Sequence, residues 1–158
     1  MNNLELELET IDGVKLSEAI PYTLIENYIY DIEGLSATKK LFLLMMRRYA
    51  GSDQKPAFPS YHKLLSTIGG NSRKTISKCI SFFEWLKWIE KINRADLKTK
   101  QKISNYYILN LKNIRIVLDH FNKKNISFKE VEKYFDEQYK NKETKEKMLN
   151  TDCKYLKE

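Results

Sequence analysis

Cysteine and histidine are scarce in this 158-residue chain: Cys79 and Cys153, His62 and His120. Two separated thiols build no disulfide framework and no Cys-x-x-Cys pair, so reduced, cytoplasmic residence is the default expectation. Two distant imidazoles do not by themselves make a metal site. Long apolar runs are missing too. The longest, Leu41 to Met46, has six residues, against the roughly 20 that cross a bilayer. No transmembrane helix or membrane partner is expected, and the acidic N-terminus does not read as a signal peptide. What the chain does have is 42% hydrophobic and 12% aromatic residues, well above the composition of disordered chains. Its length suits one domain with a helical appendage.

Acid is the other scarcity, and it is local. Residues 36–111 hold 15 bases and four acids, whereas residues 1–35 hold one base and eight acids. Residues 112–158 are nearly balanced, with 12 bases and nine acids. The formal charge of +7 therefore conceals a positive centre behind a negative head. Such a field fits a polyanionic partner for the central segment; the alternative is solvating charge on a Lys-rich surface.

Leu4 to Glu9 alternates apolar and acidic residues, the period of an edge strand or a loose acidic arm, and Asp12-Gly13 ends it. Pro21 allows a helix or turn to begin near Tyr22, but Tyr22 to Ile32 lacks a clean period. Ser36 is a good N-cap for a helix over Ala37–Ala50, whose Leu41–Met46 run covers all faces and predicts burial. Ser52 to Ala57 reads as a polar loop. Ser60 caps a short helix, Tyr61–Ile68, and Gly69-Gly70-Asn71 supplies a tight turn. Ser72 then caps a third helix to about Leu86. Ile76, Cys79, Ile80, Phe83 and Leu86 form its core stripe, while Arg73, Lys74, Ser77, Lys78 and Ser81 lie on a polar, basic face. Ile89–Asn93 and Ile103–Leu111 read as strands of an antiparallel hairpin, joined by the polar stretch Arg94–Lys102. Two amphipathic helices follow, Asn113–Lys123 and one opening on Ser127-Phe128-Lys129-Glu130, which has capping-box spacing. Beyond Lys140 charge dominates and fraying is expected.

Helix, short helix, tight turn, longer helix and hairpin is the order of a winged helix-turn-helix. The predicted fold class is mainly α with a small β-hairpin wing, followed by C-terminal helices. The expected division is an acidic arm over 1–19, a DNA-binding domain over 20–111 and a helical extension over 112–158. A basic, small-residue face on the third helix suits a major groove about 12 Å wide. Arg94, Lys98, Lys100 and Lys102 sit in the hairpin loop. Where that loop is extended, the three lysines share one side at period two and can meet phosphates.

The Leu35-Ser36 lead-in, the Phe58-Pro59-Ser60 opening, Ser72-Arg73-Lys74-Thr75 and the Asn105-Tyr106-Tyr107 strand carry a resemblance. Together with Ile20–Asn27, they make residues 20–111 similar to the winged-helix domains of replication initiators of Gram-positive plasmids and phages, including DnaD-like N-terminal domains. The family usually has one residue between the turn glycine and the serine, whereas Gly70 and Asn71 both intervene here. The resemblance implies that the third helix reads double-stranded DNA through Ser72, Arg73, Lys74, Thr75, Ser77 and Lys78. Arg73 and Lys74 can donate to guanine, and Ser60 and Tyr61 can meet phosphates. Thr75 has an equal alternative as a buried structural residue.

Sharper chemical signals fail. Gly69 to Thr75 ends in Lys-Thr, but the Walker pattern needs Gly before that Lys and the chain has Arg73. Tyr49, Tyr106 and Tyr107 lack clustered histidines for a nicking reaction. His62 reads as exposed, His120 as structural and Cys79 as inert core. Phe82, Trp85 and Trp88 form a second apolar set, for the C-terminal helices or a dimer contact. No enzyme activity, cofactor or metal is expected. The expected function is sequence-specific duplex binding as a homodimer in replication initiation, with other replication proteins as further partners. A transcriptional repressor and a winged-helix protein-interaction module are the alternatives.

Overall fold

A computed structural model describes residues 10–11, 14–15, 26–50, 56–57, 60–68, 72–95 and 97–157. Strands β1 (Thr10–Ile11) and β2 (Val14–Lys15) flank Asp12-Gly13 and pair antiparallel, Thr10 opposite Lys15. The alternating Leu4–Glu9 segment and the Gly69-Gly70-Asn71 turn lie outside the described residues. Within the aperiodic Tyr22–Ile32 stretch, Asn27–Tyr30 forms the short helix α1.

Helix α2 occupies Ala37–Ala50, as its pattern predicts, and buries Phe42, Leu43, Met45, Met46 and Ala50. Two cations are buried with them, each with a carboxylate partner. Lys39 lies 3.8 Å from Glu132, and Arg47 makes two 2.8 Å hydrogen bonds to Glu26. Helix α3 spans Tyr61–Ile68. Helix α4 spans Arg73–Trp85 and buries its predicted stripe, together with Phe82, Trp85 and Ser81.

A Schellman motif ends α4: Lys87 N donates to Glu84 O and Trp88 N to Phe83 O. Lys87 is left-handed, at φ 61°, where glycine is the usual choice. The associated apolar contact is Trp88 stacked on Phe83 at 5.6 Å.

The sheet has three strands, one more than the sequence pattern predicts. Pro56–Ala57, in the expected polar loop, forms β3 and pairs with β5 (Lys102–Leu109), which also pairs with β4 (Ile89–Ala95). The order is β3-β5-β4. β3 is at the edge, where a proline is tolerated because its missing N–H leaves no ladder bond unmade. An irregularity between Ile92 and Arg94 carries β4 on to Ala95. Arg94 and Lys102 therefore belong to strands, not to the loop as expected. Helix, edge strand, two helices and a hairpin make a mainly α fold with a small antiparallel sheet, compatible with the helices and β-hairpin wing of a winged helix-turn-helix.

The C-terminal helices are α5 (Leu111–Lys124), α6 (Phe128–Gln138) and α7 (Lys142–Leu149), followed by a 3-10 turn, Lys154–Leu156. At Ser127 the expected capping box does not form; its hydroxyl accepts from Lys129 N instead. The reciprocal box stands one helix later, between Asn141 and Thr144. It orders the segment where charge predicted fraying, and Met148 and Cys153 are buried behind it. One apolar cluster runs through the winged portion and these helices. Phe82 meets Phe135 edge-on at 5.1 Å, Trp85 stacks on Tyr134 at 6.1 Å, and Trp88 meets Phe128 at 5.7 Å. Phe82, Trp85 and Trp88 are thus consumed within one chain. They are too buried to serve as the dimer contact also considered for them.

Candidate nucleic-acid interface

Helix α4 presents only its first turns to solvent. Ser72, Arg73 and Lys74 are exposed, Thr75 and Ser77 half-buried, and from Cys79 onward most positions are covered. Ser72 holds the N-cap position, but its hydroxyl makes no bond to a helix N–H; it lies 3.4 Å from the Thr75 hydroxyl. The expected side-chain cap is absent. Thr75 is neither fully buried nor free, which places it between its two alternative roles. Ser81, on the expected polar face, is buried and donates to Ser77 O at 2.9 Å.

Lys78 is the main departure on this helix. Its ammonium sits 2.8 Å from Asp136 of α6 and 6.0 Å from the centre of the Tyr139 ring. It reaches the C-terminal helices from the second turn of α4, half-buried where Arg73 and Lys74 in the first turn are exposed. Arg73, Lys74 and Ser77 are the part of the set left on the open side.

At α3, Ser60 is exposed and its hydroxyl accepts from Lys63 N at 3.1 Å, capping the helix as expected. Tyr61 is the first helical residue; its side chain lies outside the described residues. The wing is a turn. Leu97, Lys98 and Thr99 form it, and Lys100 is left-handed at φ 57°. A left-handed residue interrupts the extended period at Lys100, and the one-sided lysine row was expected only where the loop is extended. Lys98 and Lys100 are exposed at the tip, while the side chains of Arg94 and Lys102 lie outside the described residues. Next to Lys98 stands Leu97, 98% exposed. A single apolar residue in a polar loop carries no periodicity, so nothing local in the sequence marks it.

A second feature without a local sequence signal lies beside α4. Lys39, Lys74, Lys78, Lys140, Lys142 and Lys145 line an open groove of about 790 Å³ between the start of α2, the first half of α4 and the α6–α7 junction. These lysines are spread over three chain segments, so no local pattern brings them together.

The remaining titratable groups fit structural roles. Burial pushes both thiols, Cys79 and Cys153, up to about 11, which keeps them protonated and unreactive near neutrality. His120 Nε2 lies 2.9 Å from Tyr155 O, and His62 is exposed. Burial raises Glu84, with Lys91 and Lys145 opposing the shift. Among the described residues, no cluster of three or more His, Cys, Asp or Glu side chains could hold a metal, and no helix is long and apolar enough to cross a membrane. Compared with known protein families, curated proteins and solved structures, the chain matches none.

Proposed function

We propose that this chain is a sequence-specific, double-stranded DNA-binding protein acting in the cytoplasm as a homodimer, in plasmid or phage replication initiation. The carrying observation is the exposed first turn of α4, Ser72-Arg73-Lys74, set in a winged helix-turn-helix whose wing tip carries Lys98 and Lys100. A helix start enters a major groove end-first, where Arg73 and Lys74 can donate to guanine O6 and N7. Wing lysines add attraction to phosphates that does not depend on sequence. Initiation, recruitment of other replication proteins and dimerisation rest on the family resemblance of residues 20–111.

Fluorescence-anisotropy titration tests the reading. Binding to duplex should weaken steeply as salt rises, because neutralised phosphates release counterions. Replacing Arg73 and Lys74 with Ala should flatten discrimination between sequences by about 1–3 kcal/mol per lost bidentate contact. Replacing Lys98, Lys100 and Lys102 should weaken all sequences alike. Weak binding at low salt, or binding insensitive to salt, would overturn the reading. Selection of bound genomic DNA separates the two biological roles: repeated sites at an origin support initiation, and a lone promoter palindrome supports repression. One observation favours the protein-interaction alternative, the fully presented Leu97 at the wing tip. That alternative gains if duplex binding fails.

A further inference from the structure

The lysine groove beside α4 has a net positive lining. Among the described residues, six lysines and no carboxylate face it. Two of the six are matched from behind, Lys39 by Glu132 and Lys78 by Asp136. Lys142 has only a 4.0 Å approach to Glu146, with its own side chain 90% exposed, a geometry that neutralises little in water. Lys74, Lys140, Lys142 and Lys145 therefore leave a concentrated positive field over one channel.

Its outer wall is rigid. The box between Asn141 and Thr144 fixes the start of α7, with Thr144 N donating to Asn141 Oδ1 at 2.9 Å and Asn141 N to Thr144 Oγ1 at 3.1 Å. Lys140 N is held to the same Thr144 hydroxyl at 3.3 Å, and Met148 anchors the far end of the helix. The inner wall is α4 itself, and Lys74 belongs both to its exposed first turn and to the groove.

We propose that this groove holds the sugar–phosphate backbone of the duplex that α4 reads, with Lys140, Lys142 and Lys145 as its anchors. The C-terminal helices then complete the DNA-binding surface instead of merely supporting it. The chemistry favours a continuous backbone over a small anion. Lysines are mobile point charges that attract phosphate without imposing a fixed geometry, and these are spread along an open channel that continues the reading helix. The inference rests on the DNA-binding reading above.

The test uses the full chain and a fluorescein-labelled random-sequence duplex, titrated between about 50 and 200 mM salt. Lys140→Gln, Lys142→Gln and Lys145→Gln are combined in one variant, and the three Lys→Arg changes in another. Each phosphate contact contributes about 0.9 to the slope of log affinity against log salt. The Gln variant should therefore flatten the slope by about 1–3, and the Arg variant should keep the original slope. Circular dichroism verifies that both variants are folded. If the unaltered chain binds and the Gln variant matches its slope, the groove proposal is overturned and the DNA reading stands. Tighter binding by the Gln variant also overturns it, because α7 would then be a cover over α4. If the unaltered chain fails to bind even at low salt, both fall together.

Discussion

Phe135 is where the C-terminal helices meet the winged portion, and truncating it tests whether the two fold as one unit. Its ring is fully buried and lies 5.1 Å from Phe82, 5.4 Å from Trp85 and 5.2 Å from Tyr139. Phe→Ala in a packed core costs about 3–5 kcal/mol, from lost transfer free energy plus the cavity left behind. Three aromatic partners, two of them on the rigid helix α4, limit how far the site can collapse, and such pairs add to the area term. The upper half of that range, about 4–5 kcal/mol, is therefore expected for Phe135→Ala. At about 2–4 °C per kcal/mol for a chain of this size, Tm should fall by roughly 8–20 °C. Phe135→Leu keeps most of the volume and should cost only about 1.5 kcal/mol. Urea unfolding followed both by tryptophan fluorescence and by far-ultraviolet circular dichroism supplies the measurement. Trp85 and Trp88 report the junction, and the dichroism reports all helices. Coincident transitions that move together are expected. A loss below about 1 kcal/mol, or two separate transitions in the unaltered chain, would refute the single-core reasoning.

Two further outcomes follow from particular residues. The Arg47 guanidinium hydrogen-bonded to Glu26 holds that carboxyl below its ordinary value of 4.5. A depressed folded value contributes stability above the unfolded pKa and loses it as pH falls through the folded one. Glu26→Gln should thus destabilise by about 2 kcal/mol at pH 7, with the gap closing below about pH 4; a gap unchanged at pH 2.5 in urea melts would contradict this origin. Lys87 occupies a left-handed position at φ 61°, which costs a residue bearing a Cβ about 1–2 kcal/mol. Lys87→Gly removes that cost but adds unfolded-state entropy, so a net gain of about 0.5–1 kcal/mol is expected. A loss of stability would show that the Lys87 side chain makes contacts worth more than the strain.

Local chemistry made the helices legible. Residues Ala37–Ala50 and Tyr61–Ile68 lie where their caps and periods place them, and the α4 stripe of Ile76, Cys79, Ile80 and Phe83 faces the core. These signals survive because each depends on neighbours three or four residues away, and burial of the resulting face agrees with them. Strand β3 did not announce itself. Two residues carry no period, and Pro56–Ala57 becomes a strand only because β5 offers an unpaired edge from fifty residues later in the chain. The wing shows a related limit: nothing local marks Lys100 as left-handed, and a one-sided lysine row requires an extended loop.

Helix α7 is the fullest case. Its composition argues for fraying, yet the Asn141–Thr144 box and the burial of Met148 hold it in place. By itself, then, the sequence determined the order of helices and hairpin, the buried stripe and the concentration of positive charge over residues 36–111. Tertiary packing decided which of those charges stay open. It turned Lys78 onto Asp136, closed the second half of α4 under the C-terminal helices, and gathered lysines from three segments into one groove. Charge is a property of composition, but its field depends on where folding brings the charges together.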